Sequence, residues 1–337
     1  MAADTMTILL ARSGVMAKTI SGGAVVRGYN AGKFYCTRTA DVAGFADMRR
    51  VLEKAAGIPY ACIIRGEPLP GIDLENARRL SNRAEHGDAV TFVAKSRQWL
   101  GIDTDECPEP AGLDFSTDPE EGVEHVIGLL PDEFADSACW WQATGSAGIK
   151  AGINVRLWYW LSRPVSDGEC KGWLHHAPAD RALYNPVQPH FVAAPLILSG
   201  PDPVARRFGV RQGLDDTVEV PAELPVIETV EPIHVDVVLR DLSADEQRRI
   251  AATIKNSPVA REIWNSKRDY PDRSSRHFAF IGGLLRAGIH DFEDWQELIA
   301  FAVVKLDQKL GVDTSKATRA DYIGRTIGAV LARETAR

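Results

Sequence analysis

The sequence predicts an α+β protein of two domains, and three observations carry that reading. Short apolar runs of strand character fill the first two hundred residues. From about residue 241 the apolar residues recur at helical spacing instead. Between the two lies LDDTVEVPAELPVIETVEPI (214–233), rich in Pro, Val and acids, an extended segment that marks a boundary. The expected division is a core over 1–228, a linker over 229–240 and an all-helical domain over 241–337. With 337 residues, 45% apolar and 25% charged, there is material for two real cores, which excludes a disordered or collagen-like chain.

Each element follows from its local pattern. TILLAR (7–12), GKFYC (32–36) and YACIIRG (60–66) read as strands. Met48, Val51, Leu52 and Ala55 share one helix face between Asp41 and Ala56, closed by Gly57. AVTFVAK (89–95) and WLGIDTDE (99–106) read as strand material running into an acidic end. Asp118-Pro119-Glu120-Glu121 is a helix start, with acids at the positive end of the dipole and a stop before Pro131. CWWQATGSAGIKAGINVRLWYWLS (139–162) reads as two strands joined by a glycine-bearing loop. Ser243 and Glu246 form a capping box. Phe292, Trp295, Leu298, Ile299, Ala302, Leu306 and Leu310 mark a helix ended by Gly311, and Tyr322, Ile323, Ile327, Val330 and Leu331 mark a last one.

Charge and cysteine usage narrow the function. The formal charge is −7, from 46 acidic and 39 basic residues, so any nucleic-acid contact is a local basic groove. Five scattered cysteines without a CxxC pair read as free thiols of a reducing cytoplasm. The opening residues carry no basic leader, and no apolar run reaches the roughly 20 residues of a membrane span, so no membrane partner is expected. Cys170 with His175 and His176 lacks a fourth zinc ligand, and there is neither a Walker loop nor a GxSxG elbow.

Three segments carry chemistry. In WLGIDTDE, strand alternation puts Asp103 and Asp105 on one face, opposite Leu100, Ile102 and Thr104, which suits shared hard cations. An exposed strand end entering an acidic turn explains the same residues. In TGSAGIKAGINVR, small residues admit backbone amides to a phosphate, and Lys150 and Arg156 offer charge. A plain glycine turn is the competing explanation. In ADRALYNPVQPHF (179–191), Asp180 offers a third carboxylate and His190 a contact to phosphate or metal; a proline-rich polar loop is the alternative.

Taken in order, IIRG (63–66), WLGIDTDE, LLPDEF (129–134), ATGSAGIKAGINVRLWYWLSRPVS and DRALYNPVQPHFVAAPL resemble the archaeo-eukaryotic primase superfamily, in particular plasmid and phage primase-polymerases. SSRHFAF (274–280) and DYIGRTI (321–327) resemble the helical domain that follows such cores. The resemblance implies a core of two mixed sheets, one like an RNA-recognition motif. It implies that Asp103, Asp105 and Asp180 are catalytic and hold two Mg²⁺ or Mn²⁺ ions. Ser146, Lys150 and Arg156, with His190, fall in the nucleotide-binding region. Two departures stand out: Arg156 follows an insertion-like KAGIN where relatives carry a His after the Ser, and His190 stands where many carry a basic residue and glycine.

The expected activity is template-directed nucleotidyl transfer from NTPs or dNTPs on single-stranded DNA, with a replicative helicase on a separate chain. Arg261, Lys267, Arg268, Arg273 and Arg276 are the expected DNA-binding cations of the helical domain. The alternative is a non-catalytic origin-binding initiator that shares the fold; a metal nuclease is a third reading, weakened by the absence of a D-ExK pattern.

Overall fold

Apolar residues alternating along Asp4–Ala11 make a strand, β1, that buries Met6 on one face and Leu9 on the other. The structure, a computed structural model, describes residues 4–30, 32–81, 89–227, 235–268, 270 and 273–335. It separates into two compact units, Met1–Glu228 and Thr229–Arg337. After β1 come β2 (Thr19–Ser21), β3 (Ala24–Arg27), β4 (Phe34–Val42), α1 (Phe45–Ala56), β5 (Ala61–Ile64), β6 (Glu67–Pro68), β7 (Ala77–Arg78) and β8 (Phe92–Val93). Then follow β9 (Arg97–Cys107), α2 (Pro119–Ile127), β10 (Cys139–Ala143), β11 (Ile153–Val165), α3 (Asp167–Trp173), β12 (Leu196–Ser199) and β13 (Phe208–Arg211).

Two four-stranded sheets organise the first unit, in the orders β5-β1-β4-β7 and β13-β10-β11-β9. Every pair within them is antiparallel, so the main sheets are not mixed as the resemblance implied. A parallel pair occurs between β2 and β12, in a three-stranded sheet completed by β3. Met6, Ile63, Trp99, Trp140, Trp158 and Trp160 fill the space between the main sheets together with Met48 and Leu52 of α1. The opposite face of the β9–β11 sheet carries Leu100, Ile102, Val155, Leu157 and Tyr159 and packs on α2 and α3. That sheet is buried on both faces, which is why β11 is buried without a break from Ile153 to Leu161 and carries the apolar run Leu157–Leu161.

Two buried guanidiniums pin the sheets together. Arg65 donates to the Asp167 carboxylate (2.6 Å) and to the carbonyls of Trp99 and Val165. Arg97 donates to Asp4, to Thr5 and to the carbonyls of Arg65 and Gly66. The Arg of IIRG is therefore a brace satisfied by protein acceptors.

The second unit is helical: α4 (Ala244–Asn256), α5 (Pro258–Trp264), α6 (Arg273–Arg286), α7 (Trp295–Lys309) and α8 (Ala320–Thr335). The Ser243–Glu246 capping box forms in both directions. Ile250, Phe280, Ile281, Leu284, Val303, Leu306, Ile323 and Ile327 share one core. Of the expected linker, residues 229–234 lie outside the described residues. Residues 235–240 carry neither helix nor strand, yet Val235 and Val237 pack against the helical core. SSRHFAF and DYIGRTI meet in a buried cluster: His277 Nε2 lies 2.8 Å from Asp307 Oδ1, and Nδ1 lies 3.0 Å from the Tyr322 hydroxyl. Among the described residues, no helix is long and apolar enough to cross a membrane.

Candidate functional site

The site begins with the register of β9 on β11. Asp103 stands directly opposite Arg156, a cross-strand pair of opposite charge. Arg156 Nη2 donates to Asp103 Oδ2 at 2.5 Å and Nη1 donates to the Phe191 carbonyl at 2.5 Å. Beyond this pair the ladder shifts register between Ile153 and Val155. Asn154 fills the irregularity, accepting from the Glu106 amide and donating to the Gly152 carbonyl. Gly101, two residues before Asp103, is closely packed: a Cβ there would lie 3.1 Å from both His190 Nδ1 and the Trp158 ring, so these neighbours would have to give by a few tenths of an ångström.

Asp105 lies two residues along the same face and is exposed. Asp180 arrives from the loop after α3, and its amide donates to the Asp103 carbonyl at 2.8 Å. Its carboxylate caps the short turn Arg181–Leu183 through the Ala182 amide. The three acids line one open cleft of about 180 Å³, shared with Thr144, Ser146, Arg156, Lys18 and Tyr29. That is below the roughly 300–1,000 Å³ of pockets that enclose a whole drug-sized ligand, so it suits phosphate groups and cations. A larger groove of about 610 Å³ between α1 and the strands β1 and β4 has Asp41 and Asp47 but no third acid.

Burial pushes the Asp103 carboxyl up, Arg156 pulls it back down, and the charges of Asp105 and Asp180 push it up again. Asp103 Oδ1 is buried without a hydrogen-bond partner. An orphaned oxygen amid mutually repelling carboxylates, in a cleft that also holds the Ser146 and Thr144 hydroxyls, offers oxygen donors of the kind a hard divalent cation takes. The acids are not drawn into a closed cage: among the described residues, no three or more His, Cys, Asp or Glu side chains have that arrangement.

The cleft differs from the sequence expectation at four positions. Asp103, expected to face solvent, is largely buried in its ion pair. Arg156 lines the cleft but is held by Asp103 and Phe191. Lys150 does not line it; it is exposed and paired with Glu106 at 2.5 Å. His190, expected at nucleotide, is wholly buried and does not line the cleft, although Pro189 and Phe191 do. Its ring packs 5.3 Å from Trp158 and 6.2 Å from Trp99, both nitrogens lack partners, and its main chain pairs with Ile63. Burial, then the charges of Arg156 and Arg65, hold it well below the ordinary histidine range, so it is neutral at pH 7. Ser146 stays at the cleft, its hydroxyl 3.3 Å from that of Thr144.

Sequence reasoning missed Lys18 and Tyr29. Tyr29 stacks on Phe191, ring centroids 4.0 Å apart and planes 2° from parallel. Burial raises its hydroxyl pKa to about 12. Neither residue belongs to a spaced motif; they flank strands of three and four residues that pattern reading does not find.

In the helical unit, Arg261, Lys267 and Arg268 are exposed. Arg268 lies 3.7 Å from Glu262 and over the Tyr270 ring. Arg273 turns inward instead, donating to the Asp313 carbonyl and lying 3.9 Å from Asp307 Oδ2. Arg273 and Arg276 both bear electrostatically on buried His277. No family model, curated protein or solved structure matches the chain.

Proposed function

We propose that the protein is a metal-dependent nucleotidyltransferase of the archaeo-eukaryotic primase type, acting from NTPs or dNTPs on a single-stranded DNA template in the cytoplasm. One observation carries the reading: Asp103, Asp105 and Asp180, from segments more than seventy residues apart, line one small cleft with Ser146, and a buried Asp103 oxygen is unpartnered. A protein that only binds DNA has no use for three acids facing a polyanion.

Asp103, Asp105 and Asp180 would hold a pair of Mg²⁺ or Mn²⁺ ions. When bound, these supply charge neutralisation on the phosphates and a lowered pKa of the attacking 3′-hydroxyl. The chain's own residues do the rest. Asp103 is oriented by Arg156, which fixes Oδ2 and leaves Oδ1 for the cation. Ser146 presents a hydroxyl to the phosphates. The β9–β11 ladder holds Asp103, Asp105 and Arg156 on a rigid sheet, while Ser146 and Asp180 reach the cleft from loops.

The test is synthesis from labelled nucleotides on single-stranded template with Mn²⁺, with and without primer. Product that disappears in Asp105→Ala supports the reading. No product with either nucleotide type, or undiminished product in that variant, overturns it.

A further inference from the structure

Two cations line the acidic cleft and a third, Lys150, lies outside it; of the three, two already have protein acceptors. Arg156 is bonded to Asp103 and the Phe191 carbonyl, and Lys150 to Glu106. Lys18 lines the cleft and forms no ion pair with any described residue. Its Nζ sits 5.0 Å from the centroid of the Tyr29 ring, within cation–π range. Its stem lies against Gly145, where a Cβ would come 3.1 Å from Lys18 Cβ and Cδ. Tyr29 is itself fixed by its stack on Phe191. A half-buried ammonium with an aromatic seat, a glycine floor and, among the described residues, no ion pair to hold it, facing Asp105 and Asp103 only at longer range, is a preorganised site for a metal-bridged anion.

We propose that Lys18 is the residue that grips the phosphates of the incoming nucleoside triphosphate, seated by Tyr29 and Gly145. The inference rests on the nucleotidyl-transfer reading and moves the phosphate contact from Arg156 and Lys150 to Lys18. A compact ammonium with three rotatable donors suits phosphate oxygens whose positions shift during reaction. Burial lowers the Lys18 pKa, Asp105 and Asp103 raise it, and Lys150 and Arg156 lower it. The 180 Å³ cleft receives the phosphates and leaves the base outside.

The experiment is calorimetric titration of the full chain with dATP and with inorganic tripolyphosphate, in Mg²⁺ and without template. Lys18→Met should weaken both ligands about tenfold or more, the order of a charge-assisted phosphate contact. Lys18→Arg should stay within about threefold of wild type, and Tyr29→Leu should lose about threefold through the lost seat. Lys54→Met, on the exposed face of α1, removes the same charge elsewhere and should change nothing. If Lys18→Met fails to fold by circular dichroism, Tyr29→Leu and Lys18→Arg decide. If wild type binds both ligands and synthesises DNA while Lys18→Met and Tyr29→Leu bind as tightly, the Lys18 role is overturned and the activity stands. If wild type binds neither ligand and makes no product, both readings fall together.

Discussion

Arg156→Met tests the central pair. It removes a guanidinium only 3% exposed and leaves Asp103, 12% exposed, with its nearest counter-charge gone. Stranding a buried charge in this way costs about 3–5 kcal/mol, more than the pair's own net worth, and the methionine retains most of the packing volume. The sign of the pH dependence follows from the carboxylate. Asp103 already titrates above its unfolded value, and without Arg156 it moves further up. The native variant then holds a proton that the unfolded chain releases, so its deficit grows as pH rises from the ordinary carboxylate range and shrinks on acidification. The assay is urea unfolding followed by tryptophan fluorescence at several pH values between 5 and 8. Trp99, Trp140, Trp141, Trp158, Trp160 and Trp173 are in the first unit, six of the eight tryptophans, so that unit dominates the signal. Asp103→Asn combined with Arg156→Met should recover part of the loss. A deficit below about 1 kcal/mol, or one independent of pH, would refute the buried pair as described.

Other outcomes follow from the same geometry. Asp105→Ala should abolish synthesis with an unfolding midpoint close to wild type, because the side chain is exposed; a large stability loss would place Asp105 in the framework. His190→Leu should change stability at pH 7.5 by less than about 1.5 kcal/mol, since both ring nitrogens are buried without partners. Below the ordinary histidine pKa the unfolded wild type takes up a proton that the native state refuses, so the variant should gain on it by up to about 1.4 kcal/mol per pH unit; equal slopes would mean that His190 is solvated. A chain ending near residue 235 should extend primers in part but fail to start them, since initiation must hold two nucleotides and a template without a duplex; de novo products from the truncated chain would remove that role from the helical unit.

Period-two alternation is a property of the backbone, so the shared face of Asp103 and Asp105 and the two apolar faces of β11 were legible before any fold was known. Helix caps are equally local, and Ser243 with Glu246 shows it. Pairing register is not local. Nothing in WLGIDTDE or GINVRLW says that Asp103 will face Arg156, and that one contact turns an expected nucleotide ligand into a buried counter-ion. His190 misled because a polar residue after two prolines looks like solvated loop, whereas its backbone bridge to Ile63 carries it into the tryptophan core. Lys18 left no trace because β2 finds its parallel partner β12 nearly 180 residues later, a long-range closure with no periodic signature.

The main-chain hydrogen bond from the Asp180 amide to the Asp103 carbonyl has a consequence for how the cleft tolerates change. The third acid is tied to the strand bearing the first by main-chain atoms, so that tie does not depend on the identity of either side chain. A point substitution at an exposed position of the loop, such as Ala182, leaves this main-chain tie in place. A single inserted or deleted residue there would have to be absorbed between two anchors, that bond and the bridge from His190 to Ile63, ten residues apart. The loop is thus permissive at its exposed positions and strict in length, the behaviour of a gauge block rather than of a tether.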